Sequence, residues 1–162
     1  MNVILIGMPG CGKSTIGVLL AKTLLCDFVD TDLVIQNKYR KSLCDIISEY
    51  GLTGFKKIEN EVLSKIECVN SVVATGGSAV YGKEAMQHMK KDAVTVYLKL
   101  PVDEIKKRIN NITTRGIAME EGTTLEELYT ERAPLYELYA DLTLDCSGLT
   151  AEECVTKIRN LI

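Results

Sequence analysis

Apolar residues gather in five short runs, Val3 to Ile6, Phe28-Val29, Val72 to Ala74, Val94 to Leu98 and Leu142 to Leu144, each separated from the next by a stretch with helical spacing. Short runs rich in β-branched residues, with no polar alternation, read as strands buried on both faces. Strands that alternate with helices predict a parallel sheet covered by helices, an α/β fold. Helix signals fall where that scheme needs them. Ser42-x-x-Asp45 and Thr150-x-x-Glu153 are patterns that cap helix starts, and Pro101 suits the first turn after the Val94 run. The stretch from Asn110 to Thr124 lacks apolar periodicity and is expected to be a mobile surface segment. With no repeat, linker or low-complexity tract, a single domain over residues 1–162 is expected.

Composition narrows the partners. The chain has 162 residues, 46% of them hydrophobic, enough to bury a sizeable core without staples. Nineteen basic against 22 acidic residues leave a net charge of -3, so no nucleic-acid or membrane footprint is expected and any positive site must be local. No apolar run approaches the ~20 residues of a membrane span. Met1-Asn2 leads directly into Val3 without the basic segment and cleavage site of a secretory signal, so a cytoplasmic location is expected. The six cysteines form no Cys-x-x-Cys and His88 is the single histidine, which argues against zinc and for reduced thiols packed as small hydrophobes.

Gly7-Met8-Pro9-Gly10-Cys11-Gly12-Lys13-Ser14 follows the first run and opens a helical pattern from Thr15 to Ala21. This is a phosphate-binding loop in its required setting of strand, glycine-rich turn and helix. Gly10, Cys11, Gly12 and Thr15 belong to a backbone that aims N–H groups at phosphate oxygens, helped by the positive end of the helix. Lys13 reaches the outer phosphates, and Ser14 offers a hydroxyl to Mg2+. Cys11 has no histidine partner in the sequence and reads as a small loop-lining residue.

Ligands of an open α/β sheet collect beyond the carboxyl ends of its strands. Asp30-Thr31-Asp32 follows the second run, and alternate spacing puts both carboxylates on one side if the segment is extended. Asp30 suits a magnesium ion beside the phosphate loop. Asp32 either takes a proton from an acceptor hydroxyl or caps the helix that begins at Leu33. Gly76-Gly77-Ser78 follows the third run, and its amides either hold a substrate hydroxyl or form a plain turn. Arg132 shares a helical stripe with Leu125, Leu128 and Tyr129, so it faces the core, where a guanidinium needs an anion. It is either half of an internal ion pair or a clamp for an acidic substrate. Lys56 and Glu59 read as an ordinary surface pair, Lys106 to Arg108 as a solvated face, and Arg115 as either solvent-exposed or a loop arginine that closes over phosphates.

Taken together, the chain resembles the shikimate kinase family, within the nucleoside monophosphate kinase branch of phosphate-loop proteins. The resemblance covers nearly the whole length. It is carried by Gly7 to Gly17, Asp30-Thr31-Asp32, Phe55-Lys56-Lys57-Ile58-Glu59, Gly76-Gly77 and Glu131-Arg132-Ala133-Pro134-Leu135-Tyr136. It implies a three-layer P-loop kinase fold with a five-stranded parallel sheet, a mobile lid at about 110–124 and an acceptor-binding helical region at about 31–62. It also implies transfer of the terminal phosphate of ATP to the 3-hydroxyl of shikimate, on the route to aromatic amino acids, by a cytoplasmic monomer. Residue roles follow from the resemblance in the same way. Lys13 and Ser14 serve phosphate and magnesium, Asp30 supports the metal through water, Asp32 activates the acceptor hydroxyl and Gly77 contacts the acceptor. Arg132 grips the acceptor carboxylate, Arg108 lies against adenine and Arg115 is the lid arginine.

Three positions depart from the family pattern. Lys56 replaces a second arginine clamp with a point charge that lacks the planar fork, Ser78 replaces a third glycine, and Arg115-Gly116 replaces Arg-Pro. Lys56 and Ser78 both concern the acceptor. Competing readings are therefore a P-loop kinase for another carboxylated polyol or for a nucleoside monophosphate, and a catalytically inactive nucleotide-binding regulatory domain. The chain has no Asn-Lys-x-Asp guanine-recognition signature.

Overall fold

The computed structural model describes residues 1–109 and 116–162. All five apolar runs are strands: β1 (Asn2–Ile6), β2 (Asp27–Asp30), β3 (Ser71–Ala74), β4 (Ala93–Lys99) and β5 (Leu142–Asp145). They pair in parallel in the order β2-β3-β1-β4-β5, with Val3 opposite Val72 on one side and Val94 on the other. Val3, Ile4, Leu5 and Ile6 are at most 3% exposed. Because successive side chains of a strand point to opposite faces, four buried residues in a row mean that both faces are covered.

The cover consists of α1 (Lys13–Leu24), α2 (Thr31–Tyr39), α3 (Leu43–Leu63), α4 (Lys83–Met89), α5 (Val102–Arg108), α6 (Leu125–Tyr139) and α7 (Ala151–Leu161). Helix α1 lies against α7, α3 against α2 and α4, and α5 against α6. The helix starts follow their sequence signals. Ser42 Oγ accepts from the Asp45 N–H at the head of α3, and Thr150 and Glu153 form a reciprocal capping box at α7. A second capping box, Thr124 with Glu127, starts α6. Helix α6 continues across Pro134, so the proline does not end it.

Helix α3 is two helices joined at a break, where Gly51 takes φ 72° and ψ 174°. That backbone is strained for any residue with a Cβ, and it gives the second half, from Leu52 on, a direction of its own. The part of the 110–124 stretch that the structure describes is more than a surface strap. Ala118 is buried, and Ile117 and Met119 pack on the core.

The chain crosses from β1 to β2 on one side of the sheet and from β3 to β4 over to the other. Adjacent strands β1 and β3 therefore feed connections that diverge, which opens a crevice beyond their carboxyl ends.

Candidate active site

The crevice is a cleft of about 350 Å³ lined by phosphate-loop residues on one side and by Asp32, Phe55, Gly76, Gly77, Ser78 and Arg132 on the other. Its size suits a small polar ligand beside a phosphate tail.

Gly12, at φ 101°, is the N-cap of α1, and no side chain caps that helix start, so its first amides stay available to an anion. Lys13 is buried, and its Nζ donates to the carbonyls of Gly7 at 2.7 Å and Met8 at 2.9 Å. Cys11 is packed inside the loop, 1% exposed, with its amide donating to the Met8 carbonyl. Gly10, Ser14 and Thr15 line the cleft, as does Arg108 from the last turn of α5. Arg108 is exposed and approaches Gly12. Arg115 lies outside the described residues.

Asp30 ends β2 and does two things at once. Its Oδ1 accepts from the Asp32 N–H at 3.0 Å, making Asp30 the N-cap of α2, and its Oδ2 accepts from the Ser14 hydroxyl at 2.8 Å. This corrects two expectations. The segment is not extended, because the helix begins at Thr31, and Asp32 is not the cap. Asp32 is left in the first turn of α2, lining the cleft. Burial is the main reason that its carboxyl titrates at about 6, with the Asp30 charge adding to the rise and the Lys13 ammonium opposing it.

Glu59 also departs from expectation, since it is no surface partner of Lys56. It is 2% exposed, and its Oε1 accepts from the Ser78 hydroxyl at 2.5 Å while Oε2 has no hydrogen-bond partner among the described residues. Burial pushes its titration up to about 7. The Ser78 hydrogen bond opposes that rise, the Asp32 charge adds to it, and the Arg132 and Lys56 charges lower it. A signal for this burial was present in the sequence: Glu59 is four residues after Phe55 and three before Val62, on the same buried stripe.

Both carboxylates converge on Gly76, where a Cβ would stand 2.6 Å from Asp32 Oδ1 and 2.8 Å from Glu59 Oε2. Only a residue without a side chain lets them approach so closely. The Gly76 N–H donates to the buried Thr31 hydroxyl, so this amide is not offered to a ligand as expected. Gly77 sits between the two halves of the cleft. A Cβ there would lie 2.9 Å from Pro9 Cδ and 3.0 Å from Arg132 Nη1. Its carbonyl accepts from the Tyr136 hydroxyl at 2.7 Å, and the Tyr136 ring packs on Tyr97 with centroids 5.1 Å apart. Nothing in the sequence signals this bond.

Arg132 lines the cleft although only 1% of it is exposed. Its Nη2 donates to the Ala118 carbonyl and its Nε to the Tyr81 hydroxyl, and none of the ion pairs among the described residues includes it. The alternative of an internal ion pair is thereby removed. Lys56 does not line the cleft, and its Nζ lies 3.9 Å from the centroid of the Tyr81 ring. Lys106 pairs with Glu126 on the surface, as a solvated face implies.

Comparison with known proteins fits this geometry. The family model described as "Shikimate kinase" matches residues 9–162. A shikimate kinase of Thermodesulfovibrio yellowstonii is 39% identical over 160 residues, covering 97% of this chain and 92% of the relative. One from Francisella tularensis subsp. holarctica is 37% identical over 165 residues, covering 99% and 94%. Among solved structures, a shikimate kinase from Acinetobacter baumannii in complex with shikimate superposes with a TM-score of 0.88 at 30% identity, covering 99% of this chain and 91% of that one. With a phosphate loop, a buried cleft arginine and a match that runs from Pro9 to the last residue, the chain belongs to the shikimate kinase family.

Proposed function

We propose that this protein transfers the terminal phosphoryl group of ATP to the 3-hydroxyl of shikimate. The observation that carries the reading is Arg132, a buried guanidinium that lines a cleft opposite a phosphate loop and has no carboxylate partner of its own among the described residues. A buried cation of this kind suits a carboxylate brought by the ligand.

The residues divide the work. Lys13 donates to the Gly7 and Met8 carbonyls and to Cys11 Sγ of its own loop, and the ammonium those contacts hold in place lends its charge to a phosphoryl oxygen. Asp32, mostly ionised at pH 7, accepts the proton of the attacking hydroxyl, and its partly buried position keeps competing water away. Gly77 and Ser78 shape the acceptor side, and Arg132 fixes the carboxylate so that the hydroxyl points along the line of transfer. Arg108 borders the nucleotide base, and Arg115 is assigned to the lid on the resemblance alone. The Ser14 hydroxyl and Asp30 carboxylate, two oxygen donors 2.8 Å apart, fit a hard cation and would hold Mg2+. Bound there, Mg2+ supplies charge neutralisation for the phosphates.

Among the described residues no helix is long and apolar enough to cross a membrane. We place the enzyme in the cytoplasm, acting as a monomer on a small acidic polyol. An ADP-release assay over shikimate, quinate, gluconate and nucleoside monophosphates tests the assignment. Stimulation above background by shikimate is expected; stimulation by another member of the panel alone reassigns the acceptor, and nucleotide binding with no turnover of any acceptor points to a regulatory module.

A further inference from the structure

Tyr81 closes a 3-10 turn, Ala79–Tyr81, directly after Ser78, where the turn meets both α3 and α6. Its ring holds Lys56 Nζ at 3.9 Å from the centroid, and Arg132 Cζ lies 5.4 Å from the same centroid. Its hydroxyl donates to Glu131 Oε1 at 2.7 Å and accepts from Arg132 Nε at 3.4 Å. One half-buried side chain thus gathers two cations that come from different helices. Like charges at this range repel, and the electron-rich face of the ring offsets that repulsion so that both charges can stay close to the cleft. A lysine needs such a support more than an arginine does, because its ammonium sits on a flexible stem with no planar fork to orient it.

We propose that Tyr81 is a positioning residue for the acceptor's carboxylate, its hydroxyl fixing the Arg132 guanidinium in the cleft and its ring holding the Lys56 ammonium outside the cleft lining, so that the charge of both cations acts on one anion. The inference rests on the reading of Arg132 as the carboxylate grip. It adds a residue that acts through the two cations and touches no substrate itself. Burial and the Glu131 bond hold the phenol on its protonated side, which keeps the hydroxyl a donor to Glu131.

Steady-state kinetics of wild type, Tyr81→Leu and Tyr81→Phe test this with shikimate and with its carboxamide, whose neutral group offers no charge to grip. Tyr81→Leu is expected to raise the shikimate KM about tenfold while the ATP KM stays within about twofold, and Tyr81→Phe, which keeps the ring, to raise it about threefold. The carboxamide KM should be the same for wild type and Tyr81→Leu. Equal fold-changes for shikimate and carboxamide, or for shikimate and ATP, would mean a merely structural role and overturn the inference. Should Tyr81→Leu fail to fold, Tyr81→Phe decides, and an unchanged shikimate KM overturns the proposal. A wild type that leaves shikimate untouched but phosphorylates another acceptor overturns the acceptor assignment and this inference with it; active wild type with indifferent Tyr81 variants overturns this inference alone.

Discussion

Asp32 and Glu59 reach Gly76 from two different helices, and burial raises both carboxyls into the range where physiological pH changes matter. With Asp32 as the proposed proton acceptor, this sets the acid limb of activity. Protonation below about pH 6 removes the proton acceptor, so kcat/KM for the acceptor should fall roughly tenfold per pH unit there. Asp32→Asn should lower kcat by about 10²–10⁴ at pH 7.5. Near-normal turnover would remove Asp32 from the chemistry. For Glu59 the same shift is a stability statement. Its folded pKa, about 7, lies above the ordinary 4.5, so the folded state binds more protons between those values and stability falls as pH rises through that window. Glu59→Gln, which keeps an acceptor for Ser78, should gain of order 1–3 kcal/mol over wild type at pH 8 and little at pH 5. Urea unfolding at both pH values reads the difference, and parallel changes in the two proteins would contradict it.

Elements carry these side chains to the cleft, and their ends were the most legible part of the chain. Ser42 and Thr150 cap as their spacing implies, because a cap is a local hydrogen bond written into four residues. The Thr124 box starts the helix that carries Arg132. Thr124→Ala should therefore cost about 1 kcal/mol and lower Tm by a few degrees. Thermal unfolding checks this, and an unchanged Tm would mean that packing alone sets the start of α6. Helicity also exposed Arg132 as inward-facing, and the same stripe argument applied to Glu59 would have found it buried. By contrast, nothing in the sequence places Tyr81 against Lys56, or the Thr31 hydroxyl against the Gly76 amide. Those contacts join segments 25 and 45 residues apart and exist only once the sheet has brought its strand ends together. The break at Gly51 likewise hid in what reads as one helical pattern.

At the scale of the whole molecule, five apolar runs separated by helical spacing were enough to give the strands, the inner three buried on both faces and the edge strands β2 and β5 only in part. The strand order was not legible from spacing, and the order is what sets the phosphate loop beside the β3 turn. Removing the loop's cation should act on every reaction that the fold supports. Lys13→Ala should lower kcat at least about 10²-fold with all acceptors in the panel, and a loss confined to shikimate would place Lys13 on the acceptor side instead.

Gly77 sits where Pro9 of the phosphate loop and Arg132 of α6 both crowd the place a Cβ would take, with room for a hydrogen and nothing larger. In the proposed reaction, the gap that the phosphoryl group must jump is thus gauged by bare backbone. An added methyl would act as a wedge, lengthening the jump and loosening the berth of the acceptor at once.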